Sequence, residues 1–242
     1  MKESKITLEE EFKSSLLKNG IKEIFFEKSN LKVDLGSKKE SQIFIEGFYK
    51  LDKEKKYQKY KLESGFKKSR SMFNLDLDLD EYFFIKLLNY EKKEDKVANI
   101  NIVFDLINNE INIDSINYNE GKNLISLNKI EVNKKNQIKR FKNIKVKTFR
   151  DGKENNNFEI LFGKKITVTG RSYDSTNLIK NINSKRNSNF FKEISKEIRI
   201  SFENIFTKLS IPLNNFNLIG KIEKGKFVKI SSKSEFSENQ YL

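Results

Sequence analysis

The chain has 242 residues, 36% of them apolar and 34% charged, with a formal net charge of +14. That length can bury a real core, but the apolar share is low for a compact globule and fits an elongated shape with more surface per residue. The chain has no Cys and no His, which excludes disulfides and Ser-His-Asp or Cys-His nucleophilic sites and removes the usual zinc ligands.

Acid–base chemistry would fall to Asp, Glu, Lys or Tyr. The positive charge points to nucleic acid or anionic lipid as partners. A competing explanation is the codon bias of an AT-rich genome, since Lys, Asn and Ile crowd a chain with one Pro and no Trp. No run of about 18 apolar residues forms a membrane-spanning helix. The segment from Met1 to Glu11 lacks the apolar stretch of a signal peptide.

Residues 1–20 read as a helical lead-in. Thr7 and Glu10 have capping-box spacing, Leu8, Phe12 and Leu16 share a helical face, and Gly20 is a stop. The period then changes to two. Leu31, Val33 and Leu35 alternate with polar residues, as do Phe73, Leu75, Leu77 and Leu79. Ala98, Ile100, Ile102, Phe104 and Leu106 follow the same rule. So do Ile144 and Val146, then Phe158, Ile160 and Phe162, then Ile166 and Val168. Each is the pattern of a strand with one apolar and one wet face.

Turn signals at Asn108-Asn109, Asn119-Glu120-Gly121, Lys134-Lys135-Asn136, Asp151-Gly152 and Lys224-Gly225 separate the runs. Short spacing predicts antiparallel neighbours and a meander of about ten or more strands. Helical patterns interrupt it at Tyr82–Tyr90 and over about 174–197, where Asp174-Ser175-Thr176 can cap a helix carrying Leu178, Ile179 and Ile182. Phe190, Phe191, Ile194 and Ile198 suggest a second helical turn. No Gly/Pro/Ser-rich linker divides the chain, so residues 21–242 are expected to form a single extended antiparallel β domain. The fold class is mostly β: a long curved antiparallel meander with a half-pipe groove and a few short helices.

Motifs for chemistry fail on named residues. Gly220 to Lys226 approaches a phosphate-binding loop, but Phe227 stands where Ser or Thr is needed, and the strand pattern continues through it. Asp76, Asp78 and Asp80 open like a calcium loop, but the sixth and twelfth positions are Glu81 and Leu87, so they read as the outward face of a strand. Ser15/Lys18 and Ser126/Lys129 match a serine–lysine spacing with no supporting motif. The stretch from Lys134 to Arg150 is basic without an acidic residue. It could meet phosphates or form a lysine-rich outer face that discourages edge aggregation. No cofactor, metal site or catalytic residue is expected, and nucleic acid is not an expected partner.

An apolar sheet face cannot stay in water. Either the sheet folds on itself as a sandwich or it curls into a groove filled by something apolar. Candidate lining residues are Phe73, Leu75, Leu77, Ile100, Ile102, Phe104, Phe158, Ile160, Phe162, Ile166 and Val168.

The order of several elements carries a family resemblance. Phe73-Asn74-Leu75-Asp76-Leu77-Asp78-Leu79-Asp80 precedes a short apolar segment, and the alternating strand at Ala98-Asn99-Ile100 follows. Ile166-Thr167-Val168-Thr169-Gly170-Arg171-Ser172-Tyr173-Asp174 then runs into Leu178-Ile179, and Phe216, Leu218, Gly220, Gly225 and Phe227 close the region. From about Phe73 to Phe236 this resembles the AsmA-like family of bridge-like lipid-transfer proteins, especially the long YhdP and TamB types.

The resemblance implies a β-groove in the periplasm that shields phospholipid acyl chains between inner and outer membranes. It also implies an N-terminal inner-membrane anchor, which this chain departs from, so the chain is expected to be an internal fragment of a longer protein or a truncated reading frame. The rival functions are a closed structural or adhesive β-sandwich and a basic nucleic-acid-binding protein.

Overall fold

A computed structural model describes residues 3–13, 20–36, 41–51, 55–94, 96–108, 110–135, 137–177, 191–208, 211–237 and 240–241. Alternation of apolar and polar side chains drives most of them into strands, as the sequence predicts, and the fold class is mostly β. Contacts divide the chain into two units: Met1–Phe84 with Glu91–Gly121, and Ile85–Tyr90 with Lys122–Leu242.

The first unit holds β1 (Ser4–Phe12), β2 (Ile21–Asp34), β3 (Ser41–Lys50), β4 (Gln58–Lys67) and β5 (Arg70–Leu79). A short hairpin follows, made of β6 (Phe83–Ile85) and β7 (Tyr90–Lys92). The unit ends with β8 (Ala98–Ile107) and β9 (Glu110–Glu120). The sheet order is β1-β2-β3-β4-β5-β8-β9, antiparallel throughout. Its outer strands do not pair with each other.

The second unit holds β10 (Asn123–Val132), β11 (Ile138–Arg140), β12 (Asn143–Arg150), β13 (Lys153–Phe162) and β14 (Ile166–Asp174). It continues with β15 (Lys196–Phe206), β16 (Leu213–Glu223), β17 (Lys226–Ser237) and β18 (Gln240–Tyr241). The order is β10-β12-β13-β14-β15-β16-β17-β18, and β11 pairs β10 outside this path. Asp151-Gly152 and Lys224-Gly225 are two-residue turns with φ of 51° and 76°, and 47° and 75°. Positive φ at both positions is what a tight hairpin matched to strand twist requires. The near phosphate-loop motif at Gly220 to Lys226 is thus a hairpin.

Four expectations change. The lead-in is not helical over its described part: Ser4–Phe12 is β1, with Ile6 opposite Ile24 and Thr7 opposite Glu23. The capping spacing is a local signal, and pairing with β2 supplies backbone partners that override it. Leu16, with Ser15 and Lys18, lies outside the described residues.

Tyr82–Tyr90 is no packed helix but a hairpin with one 3-10 turn at Lys86–Leu88, ended by Asn89 at φ 47°. Asn89 leaves the helical region, and its neighbours' carbonyls are taken by the sheet: the Asn156 amide donates to Leu88 O at 2.7 Å.

The expected helical insertion over 174–197 is not α-helical in its described part. Asp174 accepts the Thr176 amide at 3.1 Å and turns the chain. Ile198, expected on a helix face, is a buried residue of β15. Leu178, Ile179, Ile182 and Phe190 lie outside the described residues.

Finally, the meander is not wholly antiparallel. β14 and β15 are parallel, with Ile166 opposite Ile198 and Val168 opposite Ile200. Parallel neighbours need a long crossover rather than a hairpin, and residues 175–195 span that gap.

Candidate functional site

In the first unit, register places Phe73 opposite Phe104, Leu75 opposite Ile102, and Leu77 opposite Ile100. All six side chains are half-buried. The two phenylalanine rings stack, with centroids 4.8 Å apart and an interplanar angle of 14°. The rows continue on both sides. Leu62 faces Leu75 and Ile45 faces Leu62. Ile116 faces Ile102 and Tyr118 faces Ile100. Five strands, β3, β4, β5, β8 and β9, therefore present aligned apolar rows on one face, each strand about 4.8 Å from the next.

One end of this face is covered. Tyr118 and Ala98 are buried, and Phe83 meets the Tyr118 ring edge-on at 5.4 Å. Beyond that cover, the unit's described residues supply no second sheet or helix layer.

The opposite face is polar. The Asn101 amide donates to Asn74 Oδ1 at 2.8 Å, and Asn99 donates to Asp76 Oδ1 at 2.8 Å. Asp76 and Asp78 are therefore part of a side-chain ladder on a strand, whereas Asp80 lies past the end of β5 and accepts the Gln58 amide at 2.9 Å. The hydrogen bond and charge of Lys61, 2.7 Å away, hold the Glu63 carboxyl below the usual range. Clefts of about 630 and 430 Å³ are lined chiefly by this polar face, with Lys32, Gln42 and Phe44 in one and Lys59, Lys61 and Asp78 in the other.

In the second unit, Ile160 faces Val168, Phe162 faces Ile166, and Phe158 faces Gly170. The partner strand β15 brings Phe202 opposite Gly170. Phe158, Ile166 and Val168 are buried, with Val146, Ile198, Phe202 and Ile205. Phe158 meets Tyr173 and Phe202 edge-on at 5.7 and 5.6 Å, while Tyr173 stacks on Phe202 at 5.5 Å. The candidate residues thus form two apolar stripes of different character: half-buried in the first unit, and largely packed by their own neighbours in the second.

The chain matches no family model, no curated protein sequence and no solved structure. The site is accordingly read from its own residues.

Beside the second stripe sits a buried polar cluster that the sequence reading missed. Asn156 donates to Thr148 Oγ1 at 2.8 Å and accepts the Asp174 amide at 2.9 Å. Asn89, at the hairpin tip, donates to Asp174 Oδ2 at 2.8 Å. Asn155 joins through Thr148 at 2.8 Å and Asp174 at 3.3 Å. The run Asn155-Asn156-Asn157 interrupts an apolar alternation and was the available signal. The cluster is satisfied internally and fixes the tip of the hairpin, which suits structure rather than turnover.

The basic stretch is partly neutralised. Arg140 lies 2.5 Å from Glu131, Lys145 3.7 Å from Glu159, and Arg150 3.9 Å from Asp174. Among the described residues, no group of three or more acidic side chains is placed to hold a metal ion.

Proposed function

We propose that the first unit's apolar face shields lipid acyl chains, as part of an envelope lipid-transfer protein. The observation that carries this reading is the set of aligned rows through Leu62, Leu75, Ile102 and Ile116 and through Tyr60, Leu77, Ile100 and Tyr118. They form a continuous apolar surface that, among that unit's described residues, is covered at the Tyr118 end by Phe83 and has no second sheet or helix layer over the rest. Burial of roughly 0.8 kcal/mol per CH₂ would hold a chain there. The rows repeat apolar side chains from strand to strand, so a chain can shift from one row to the next without leaving a deep well. The resemblance to AsmA-like proteins adds the setting: phospholipid passing between inner and outer membranes, in the periplasm.

The packed stripe of the second unit favours a different role for Phe158, Ile166 and Val168. These serve as core, and the reading of a closed structural β-protein applies to them. Lipid contact is therefore assigned to Phe73, Leu75, Leu77, Ile100, Ile102 and Phe104.

The deciding experiment is lipid mass spectrometry on the purified chain, joined to binding of a fluorescent fatty-acyl probe. Co-purifying phospholipid and saturable probe binding are expected. Absence of both overturns the proposal. Binding of nucleic acid that falls steeply with salt, without lipid, would favour the basic-protein reading.

A further inference from the structure

Register gathers several turns at one end of the second unit's sheet. β12 begins beside the end of β13, with Asn143 opposite Leu161. Phe162 stands opposite Ile166 and Ile166 opposite Ile198, so β14 and β15 both begin there. β16 ends and β17 begins at the same end, with Lys196 opposite Ile222 and Glu223 opposite Lys226. The turns are tied to one another. The Lys196 ammonium donates to Gly163 O at 2.9 Å, the Gly225 amide to Ile194 O at 2.9 Å, and the Lys224 amide to Ser195 Oγ at 3.0 Å.

This end is basic. Lys142, Lys164, Lys165, Lys192, Lys224 and Lys226 are exposed, and none forms an ion pair among the described residues. The carboxylates here face partners of their own. Glu131 is held by Arg140 at 2.5 Å and Glu223 by Lys221 at 2.6 Å. Glu193 accepts the Asn133 side-chain amide at 3.3 Å, and Glu197 stands opposite Lys221. The other end of the same sheet is balanced: Arg171 pairs with Glu154, and Arg150 lies 3.9 Å from Asp174. A lysine-rich composition alone would load both ends. Protection of a sheet edge accounts for Lys226 on β17, but Lys164 and Lys165 lie in the turn between two interior strands.

Apolar side chains stand in water among these lysines. Phe191, Phe227 and Val228 are 45%, 49% and 54% exposed. Nucleic acid could use the cations, but Val228 offers no ring for a base to stack on. The boundary between headgroups and acyl chains takes aromatic and aliphatic side chains alike, beside lysines that meet anionic lipid.

We infer that this end of the second unit docks on an anionic phospholipid bilayer, with the six lysines against the headgroups and Phe191 and Phe227 entering the boundary beneath them. The contact uses residues of the second unit alone and does not rest on the acyl-chain reading of the first.

Flotation of the purified full chain with vesicles tests this. Binding is expected to phosphatidylcholine vesicles containing phosphatidylglycerol, to be absent with phosphatidylcholine alone, and to weaken as salt rises. The triple reversal Lys164→Glu, Lys165→Glu, Lys224→Glu should weaken it by at least about tenfold. The matched reversal Lys122→Glu, Lys153→Glu, Lys208→Glu, at exposed positions of the balanced end, should retain most of it. Equal loss in the two triples would make net charge the cause and overturns the site, as does no binding to either vesicle.

The chain has no Trp, so Phe227→Trp supplies a sole reporter in a protein that keeps all its charges. Its emission should shift to the blue and be quenched by brominated phospholipid when vesicles are bound. An indole that stays in water, or oligonucleotide binding without vesicle binding, overturns the inference. Vesicle binding that persists while the fatty-acyl probe fails would remove the first unit's role alone, and the converse result would remove this one.

Discussion

Phe73 and Phe104 stack face to face across β5 and β8, with ring centroids 4.8 Å apart. Their pairing is direct in register, both rings are half-buried, and Phe66 adds an edge-on contact to Phe73 at 5.9 Å. An aromatic pair of this kind stabilises by about 1 kcal/mol beyond simple burial.

Phe104→Asp should abolish binding of a fatty-acyl probe while leaving the β-sheet circular dichroism intact. The charged side chain would lie among aliphatic rows, where an acyl chain would have to desolvate it. Loss of the folded spectrum together with binding would identify the face as core and remove it as a lipid site. The conservative Phe104→Leu should retain most of the binding.

Asn156→Ala should destabilise the chain by about 3 kcal/mol, read as a lower denaturant midpoint. The amide is fully buried, and removing it strands Leu88 O and the Asp174 amide, while Thr148 Oγ1 keeps its bond to Asn155. Hydrogen exchange at the Asp174 amide should accelerate in parallel. A change within about 0.5 kcal/mol would mean that the cluster is not closed as described.

Gly170→Ala should cost about 2 kcal/mol, whereas Gly163→Ala should be nearly neutral. A methyl group at Gly170 would run into Phe158 Cβ and lie 2.5 Å from Asn157 O, at the register shift between β13 and β14. At Gly163 the nearest atom, Lys165 O, would be 3.6 Å away. Thermal melts of the two variants compare the sites directly, and equal costs would refute the close approach.

Tyr173→Phe should change the alkaline limb of stability. Burial, reinforced by the Asp174 charge, raises the Tyr173 phenol from 10.0 to about 12. The folded chain therefore keeps its proton where the unfolded chain has lost it. This contribution is complete below pH 10 and is lost as pH rises towards 12. Denaturant titrations across that window should show a shallower decline in the variant. At neutral pH the variant should lose about 1 kcal/mol, since the hydroxyl donates to Leu87 O at 3.0 Å. An unchanged alkaline slope would show that Tyr173 does not carry the effect.

Much of the β architecture was legible because alternation is a local property. Residues such as Leu75 and Ile102 reveal a face wherever they sit, and Asp151-Gly152 reveals its turn from two residues. Partner choice is not local. Nothing in Ile166 or Ile198 announces that their strands run parallel. Bulges hid other parts of the face: a register shift after Val103 lets Ile113 and Ile116 face the same partner strand with an odd spacing between them. A strict period of two misses that pair. The Asn155–Asn156 cluster was obscured for the opposite reason, since asparagines in this lysine- and asparagine-rich chain look ordinary until their burial is known.

The parallel pairing of β14 with β15 also constrains how the chain reaches its native state. Hairpins such as β12–β13 and β16–β17 close over a few residues, so they can form early and independently. Ile166 meets Ile198 only after the whole intervening stretch has been brought round. The entropy of closing that loop precedes any gain from Phe158 and Phe202 packing together. The joining of the β12–β14 hairpins to the β15–β17 meander is therefore the slow step expected within the second unit. Substitutions at Ile198 or Phe202 should slow folding more than those at hairpin tips such as Gly225.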